Sequence, residues 1–241
     1  MLRTTFIIFW VVLMTAYMAP MVLLLSFLGC SGTTGHRIGQ IWARSILFGS
    51  RVGVTIKGLK RISPGRPYIY MSNHQSNFDI PVLLGCLPVQ FRWLAKEELF
   101  RIPIFGSSMR KCGYISIDRS DRRKAIRSLK LAAETIRGGV SVMIFPEGTR
   151  SRDGSIQPFK KGGFVLALES GVPIVPLVIH RTFAIMAKNS LRIQPCDVVL
   201  EVLEPIDTSE YTHRQKDALI NRVRQRICEA FEAGRKGGSA C

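Results

Sequence analysis

The chain opens on an apolar run and then changes rhythm. No Asp, Glu, Lys or Arg stands between residues 4 and 35, and residues 6–28 are almost wholly apolar. As one helix that run predicts a rod of about 34 Å, enough to cross a bilayer core. Pro20 divides it into pieces of membrane-half length, and the Gly, Ser and Thr residues of positions 29–35 predict a turn. A second helix follows, with Ile38, Ile41, Trp42, Ile46, Leu47 and Phe48 apolar at helical spacing and Arg37, Arg44 and Arg51 between them. Such a helix suits the headgroup layer of a membrane. The same periodicity suits a core helix of a globular domain, and both readings stand at this point.

Beyond residue 50 short apolar runs alternate with amphipathic ones. Residues 52–56, 68–71, 92–95, 114–117, 140–145, 172–179 and 198–203 predict strands. Helices are predicted from Pro81 to Cys86 and from Lys96 until Pro103 and Gly106 end it. A longer one carries Ala125, Ile126, Leu129, Ala132, Ala133 and Ile136 on one stripe and stops at Gly138-Gly139. Another covers residues 161–170 with Gly171 after it, and the last turns Leu219, Ile220, Val223, Ile227 and Phe231 inward. Strand, helix, strand in sequence implies a parallel pair with a crossover. The expected fold is α/β: a mostly parallel central sheet flanked by helices over residues 51–241, behind N-terminal membrane-anchoring helices over residues 1–50.

Charge narrows the partners. With 34 Lys and Arg against 17 Asp and Glu, the 241 residues carry a formal net charge of +17, which favours phosphate-bearing partners. The basic residues are scattered and form no platform with aromatics, so nucleic acid is not indicated, whereas the apolar N-terminus points to an anionic bilayer surface. A cleaved signal peptide is the rival reading of the first thirty residues. The six cysteines show no C-x2-C pairing and no metal spacing with the four histidines, so neither a zinc site nor a disulfide framework is expected.

The chemistry centres on Asn73-His-Gln-Ser-Asn-Phe-Asp79. A histidine can take a proton from a neutral alcohol, and a carboxylate can fix its tautomer and steady the imidazolium that forms. Positions five apart share neither a helix face nor a strand face, so His74 and Asp79 meet only if the chain bends between them. The flanks predict that bend: an apolar strand before it, turn and cap residues within it, and Pro81 suited to the first turn of a helix after it. Alone, the pair is also what a surface histidine beside a helix cap looks like.

Three more blocks follow in order: Gly113-Tyr-Ile-Ser-Ile-Asp-Arg119, Phe145-Pro-Glu-Gly-Thr-Arg-Ser151 and Val172-Pro-Ile-Val-Pro-Leu177. With H-x4-D they resemble the four blocks of the glycerophospholipid acyltransferase family, over roughly residues 55 to 205. The resemblance implies transfer of a fatty acyl group from an acyl thioester, of acyl carrier protein or coenzyme A, to the free hydroxyl of a membrane lysophospholipid. It implies His74 as general base held by Asp79, with Arg119, Glu147, Gly148, Thr149 and Arg150 binding the glycerol phosphate. Glu147 cannot face phosphate directly, so it is expected to hold an arginine or an acceptor hydroxyl. Asn73, Lys96 and Lys160 are further candidates for substrate contact, with Lys161 beside them. No metal and no cofactor beyond the thioester co-substrate is expected, since no Gly-rich nucleotide loop is present. A sister enzyme using another lyso-lipid, such as a lyso-ornithine lipid, would share H-x4-D, and a non-enzymatic basic membrane-surface protein is the alternative outside enzymes. A thioester donor and the excess of arginine after the apolar run place the catalytic domain on the cytoplasmic face of the inner membrane.

Overall fold

The computed structural model describes residues 2–118 and 121–237. The apolar run is one continuous helix, α1 (Leu2–Phe27), which passes through Pro20 without stopping. A proline removes one helical hydrogen bond, but Met18, Ala19 and Val22 are buried on both sides of it and packing holds the rod together. The next helix, α2 (Gly32–Gly49), returns along α1. Trp10 Nε1 donates to the Ser45 carbonyl at 3.1 Å and Trp42 Nε1 to Thr15 Oγ1 at 3.0 Å. The predicted turn therefore shrinks to residues 28–31, and the glycines after it serve a helix contact. A Cβ on Gly35 would lie 2.8 Å from Cys112 Sγ, and one on Gly32 3.1 Å from the Cys112 carbonyl oxygen.

Between the two readings of α2, the core one describes its inner face. Ile38, Ala43, Ile46 and Leu47 are buried, and the exposed Arg44 donates to the Gly85 carbonyl at 2.7 Å. Ile7 of α1 and Ala43, Ile46 and Leu47 of α2 belong to the same apolar core as Tyr68, Tyr70 and Phe91. Residues 2–50 thus share a core with the sheet.

That sheet has seven strands: β1 (Val54–Lys57), β2 (Ile69–Ser72), β3 (Phe91–Lys96), β4 (Ile115–Ile117), β5 (Ser141–Ile144), β6 (Ile174–His180) and β7 (Val198–Val202). Their spatial order is β1-β7-β6-β2-β5-β3-β4, and every named pairing is parallel except β6 with β7. The mostly parallel α/β architecture read from the pattern is the one found. The remaining helices are α3 (Asp79–Cys86), α4 (Glu97–Phe100), α5 (Phe105–Lys111), α6 (Arg122–Arg137), α7 (Gly162–Ser170), α8 (Thr182–Ile185) and α9 (Lys216–Gly237). The crossover through α6 joins parallel strands, as expected, but β3 lies between β4 and β5. Gly106, expected to end a helix, instead sits in the first turn of α5, where a Cβ would overlap the Phe100 carbonyl.

Alternation along the central strands divides the core in two. Tyr68, Tyr70, Met143, Val175, Leu177 and Ile179 face the layer of α1, α2 and α3. Ile69, Met71, Val142, Ile144, Ile174 and Val178 face α6, α7 and α9. Strands buried on both faces explain the unbroken apolar runs of the sequence.

One large apolar surface stays outside both layers. α1 is long and apolar enough to cross a membrane, yet only 22% of its apolar window is buried. Phe6, Phe9, Val12, Leu13, Tyr17, Leu24 and Phe27 stand exposed along it, joined by Ile41 and Phe48 of α2.

On the opposite side, α9 approaches β6 closely enough to require glycine. A Cβ on Gly234 would overlap the buried His180 ring, which stacks on Phe231 at a centroid distance of 5.9 Å. Alanine favours a helix over glycine by about 1 kcal/mol, so Gly234→Ala would stabilise an uncrowded helix. Here it should destabilise the protein by about 1–3 kcal/mol through overpacking. Adding His180→Ala should recover most of that relative to His180→Ala alone, measured by chemical denaturation in detergent.

Candidate active site

Three neighbouring parallel strands, β6, β2 and β5, deliver their C-terminal ends to one edge of the sheet, where ligands of open α/β sheets gather. Met71 of β2 pairs with Ile144 of β5. Three residues further along each chain, His74 therefore arrives level with Glu147. Their contact is direct: the His74 backbone N–H donates to Glu147 Oε1 at 2.6 Å. The Ser151 N–H donates to the His74 carbonyl at 2.8 Å, so the loop after β5 holds both backbone groups of His74.

The bend between His74 and Asp79 is built by Asp79 itself. Its Oδ2 accepts the N–H groups of Gln75 and Ser76 at 2.7 and 2.8 Å, which folds the chain back over the first residue of α3. The same oxygen lies 2.8 Å from His74 Nδ1. An ionised carboxylate only accepts, so Nδ1 carries the hydrogen and Nε2 is left with a free lone pair. Thr182, at the start of α8 just past β6, donates its hydroxyl to Asp79 Oδ1 at 2.5 Å. Asp79 is wholly buried with every contact a donor, while the His74 side chain keeps 14% exposure. The imidazole stacks on Phe145 with centroids 3.8 Å apart and planes 9° from parallel, which fixes its remaining torsion.

Glu147 hydrogen-bonds backbone groups: beside the His74 N–H, its second oxygen accepts the Gln157 N–H at 2.8 Å. Burial pushes its carboxyl up to about 7, opposed by the two N–H donors. It is a clamp on the loop that carries His74. Asn73 also serves the fold: its amide donates to the Ile179 carbonyl at 2.9 Å and accepts the Ile179 N–H at 2.8 Å. Wholly buried, it ties β2 to β6 and lies outside the cavity lining.

His74, Gly148, Thr149, Arg150 and Lys96 line one cavity of about 520 Å³. Away from this polar end its walls are apolar, with Met18, Ala19 and Val22 from α1, Ile38 and Trp42 from α2, and Met109 beside α2. A large apolar cavity with a few convergent polar groups is the usual form of a small-molecule site. The guanidinium of Arg150 has no partner among the described residues and Gly148 has a φ of 75°, which lets the backbone turn at the cavity edge. Lys160 is exposed and stands outside the cavity lining, and Lys161 pairs with Asp217 at 3.1 Å. Arg119 lies outside the described residues. Those residues contain no group of three or more His, Cys, Asp or Glu able to hold a metal ion.

Sequence reasoning missed Thr182 and Lys188. Both fall after the fourth block, and only the parallel ends of β6 and β2 bring them to His74's edge. A Thr or Lys in a loop carries no signal of its own; a strand-pairing argument from Asn73 to Ile179 would have led to Thr182.

The chain is similar to known proteins in sequence and in fold. The family model described as Acyltransferase matches residues 53–180. A chloroplastic 1-acyl-sn-glycerol-3-phosphate acyltransferase of Brassica napus is 37% identical over 198 residues, 81% of this chain and 56% of its own. The chain thus spans little more than half of that relative's length. The human 1-acyl-sn-glycerol-3-phosphate acyltransferase alpha is 36% identical over 197 residues, 80% of this chain and 69% of its own. The crystal structure of the 1-acyl-sn-glycerophosphate (LPA) acyltransferase of Thermotoga maritima superposes with a TM-score of 0.84 at 28% identity, covering 99% of this chain and 97% of that one. With more than half its length matched by the family model, and with the dyad, the loop after β5 and the strand after it all inside that match, the chain belongs to the acyltransferase family.

Proposed function

We propose that the protein transfers a fatty acyl group from an acyl thioester to the sn-2 hydroxyl of 1-acyl-glycerol-3-phosphate, giving phosphatidic acid. The observation that carries this reading is the His74–Asp79 pair at the polar end of a long apolar cavity. Nε2 of His74 takes the hydroxyl proton as the oxygen attacks the thioester carbonyl. A C–O bond forms, the C–S bond breaks, and the imidazolium returns its proton to the departing thiolate. Asp79 stays ionised and steadies the imidazolium. The apolar walls suit an acyl chain, and Arg150 and Lys96 at the same end suit an anionic headgroup or the phosphates of the donor. The relatives' names supply the acceptor, and the donor is a thioester of coenzyme A or acyl carrier protein. Purified protein in detergent, offered acyl thioester and a panel of lyso-lipids with products resolved by mass, tests this directly; acylation of other lyso-lipids in preference to the phosphate monoester would overturn the acceptor.

We place the protein at the cytoplasmic face of a membrane, with the exposed face of α1 in the acyl-chain region. A helix that lines the cavity with one side and shows apolar residues on the other can hold the site against the lipid from which the acceptor comes. Ile7 lies in the core and Thr15 bonds Trp42, so α1 packs as part of the fold.

His74→Ala should lower kcat by about 10²–10⁴-fold, the range that general bases contribute. Asp79→Asn should come close to it, because an amide donor at Nδ1 selects the wrong tautomer; activity near wild type in either variant would end the general-base role. Arg150→Ala should raise the acceptor KM and leave the thioester KM unchanged, whereas Glu147→Gln should lower kcat by releasing the His74 backbone. The opposite split would exchange the roles of binding and clamping. Phe9→Glu with Leu24→Glu should reduce flotation with anionic vesicles several-fold while activity on detergent-dispersed acceptor persists, and unchanged flotation would move the lipid contact elsewhere.

A further inference from the structure

We propose that Lys188 recognises the acceptor's phosphate and sets the preference for a phosphate-bearing headgroup. This rests on the acyl-transfer reading and extends it to a residue outside all four sequence blocks. Lys188 follows α8, and its Nζ donates to Thr149 Oγ1 at 3.1 Å and to the Arg150 carbonyl at 3.0 Å. An ammonium has three hydrogens, and no described residue takes the third. Lys124 and Lys161 each pair with an aspartate, but no carboxylate among the described residues pairs with Lys188. It is half-buried and lines the cavity that holds His74.

A partly desolvated cation held by two neutral acceptors costs free energy that an anionic ligand would offset. Arg150, whose guanidinium has no partner among the described residues, lines the same cavity, so two cationic residues and the Thr149 hydroxyl share that wall. A phosphate monoester carries close to two negative charges at neutral pH and three strong acceptor oxygens. That chemistry matches one lysine, one arginine fork and one hydroxyl. A carboxylate would use only part of the set. The competing account is that Lys188 merely staples its loop to the loop after β5. The two differ in what they predict for an acceptor without phosphate.

The test uses the full chain in detergent micelles, with steady-state kinetics on 1-acylglycerol-3-phosphate and on 1-acylglycerol. Lys188→Met should raise the KM for the phosphate acceptor by about 10- to 100-fold, the effect of losing a charge-assisted hydrogen bond. The thioester KM should hold, and the preference for phosphate over phosphate-free acceptor should fall by the same factor. Lys188→Gln, which keeps a donor for Thr149 without the charge, should behave like Met, and Lys188→Arg should recover most of the preference. A separate arm measures protection against thermal unfolding by glycerol 3-phosphate, present in the wild type and lost in Met and Gln. Equal losses on both acceptors with protection retained would make Lys188 a staple only, and unchanged kinetics would also overturn the proposal. If the wild type acylates no phosphate acceptor while protection still depends on Lys188, the acyl-transfer reading fails and the phosphate contact stands.

Discussion

Everything at this site depends on how the His74 backbone is held. A side chain proposed to move a proton must be placed to a fraction of an ångström, yet His74 sits in a turn, the most mobile kind of backbone. The loop after β5 removes that freedom by binding both of its main-chain groups, through Glu147 Oε1 and the Ser151 N–H. Strand register makes this possible, because two parallel neighbours ending together bring residues three steps beyond their last pair to the same height. The side chain is then fixed from two directions, by Asp79 along the ring plane and by Phe145 across its face.

Two buried carboxylates so close together would be costly if either lacked donors. Asp79 receives two backbone N–H groups, the imidazole N–H and the Thr182 hydroxyl. Glu147 receives two backbone N–H groups and, among the described residues, no side-chain hydrogen bond. The difference is physical: Asp79 has donors on both of its oxygens and faces an imidazole, whereas burial pushes the Glu147 carboxyl up to about 7. One carboxylate orients the imidazole and the other the backbone that carries it.

Much of this was legible before any coordinates. Alternating strands and helices, the bend at residues 73–79 and the glycines closing α6 and α7 follow from local rules, because each depends on residues near in sequence. What escaped depends on residues far apart. Pro20 reads as a break, since its lost hydrogen bond is local and the packing around Met18, Ala19 and Val22 is not. Gly32 and Gly35 read as a turn, since their purpose is the approach to Cys112 some eighty residues on. Asn73 reads as a turn former or a substrate contact, but its partner is Ile179. Glu147 reads as a substrate contact through the family resemblance, and its bonds to the His74 and Gln157 backbone are ones that no side-chain pattern reveals.

The double duty of α1 limits how such a chain can change over generations. Its outer residues meet whatever surrounds the protein, and Met18, Ala19 and Val22 on its inner side shape the chamber. It cannot be exchanged like a detachable tag between related genes, because a donor helix suited to other surroundings would arrive with the wrong inner wall. A change that fits the outer face of α1 to new surroundings and a change that reshapes the chamber fall on the same helix, so the two traits are inherited together.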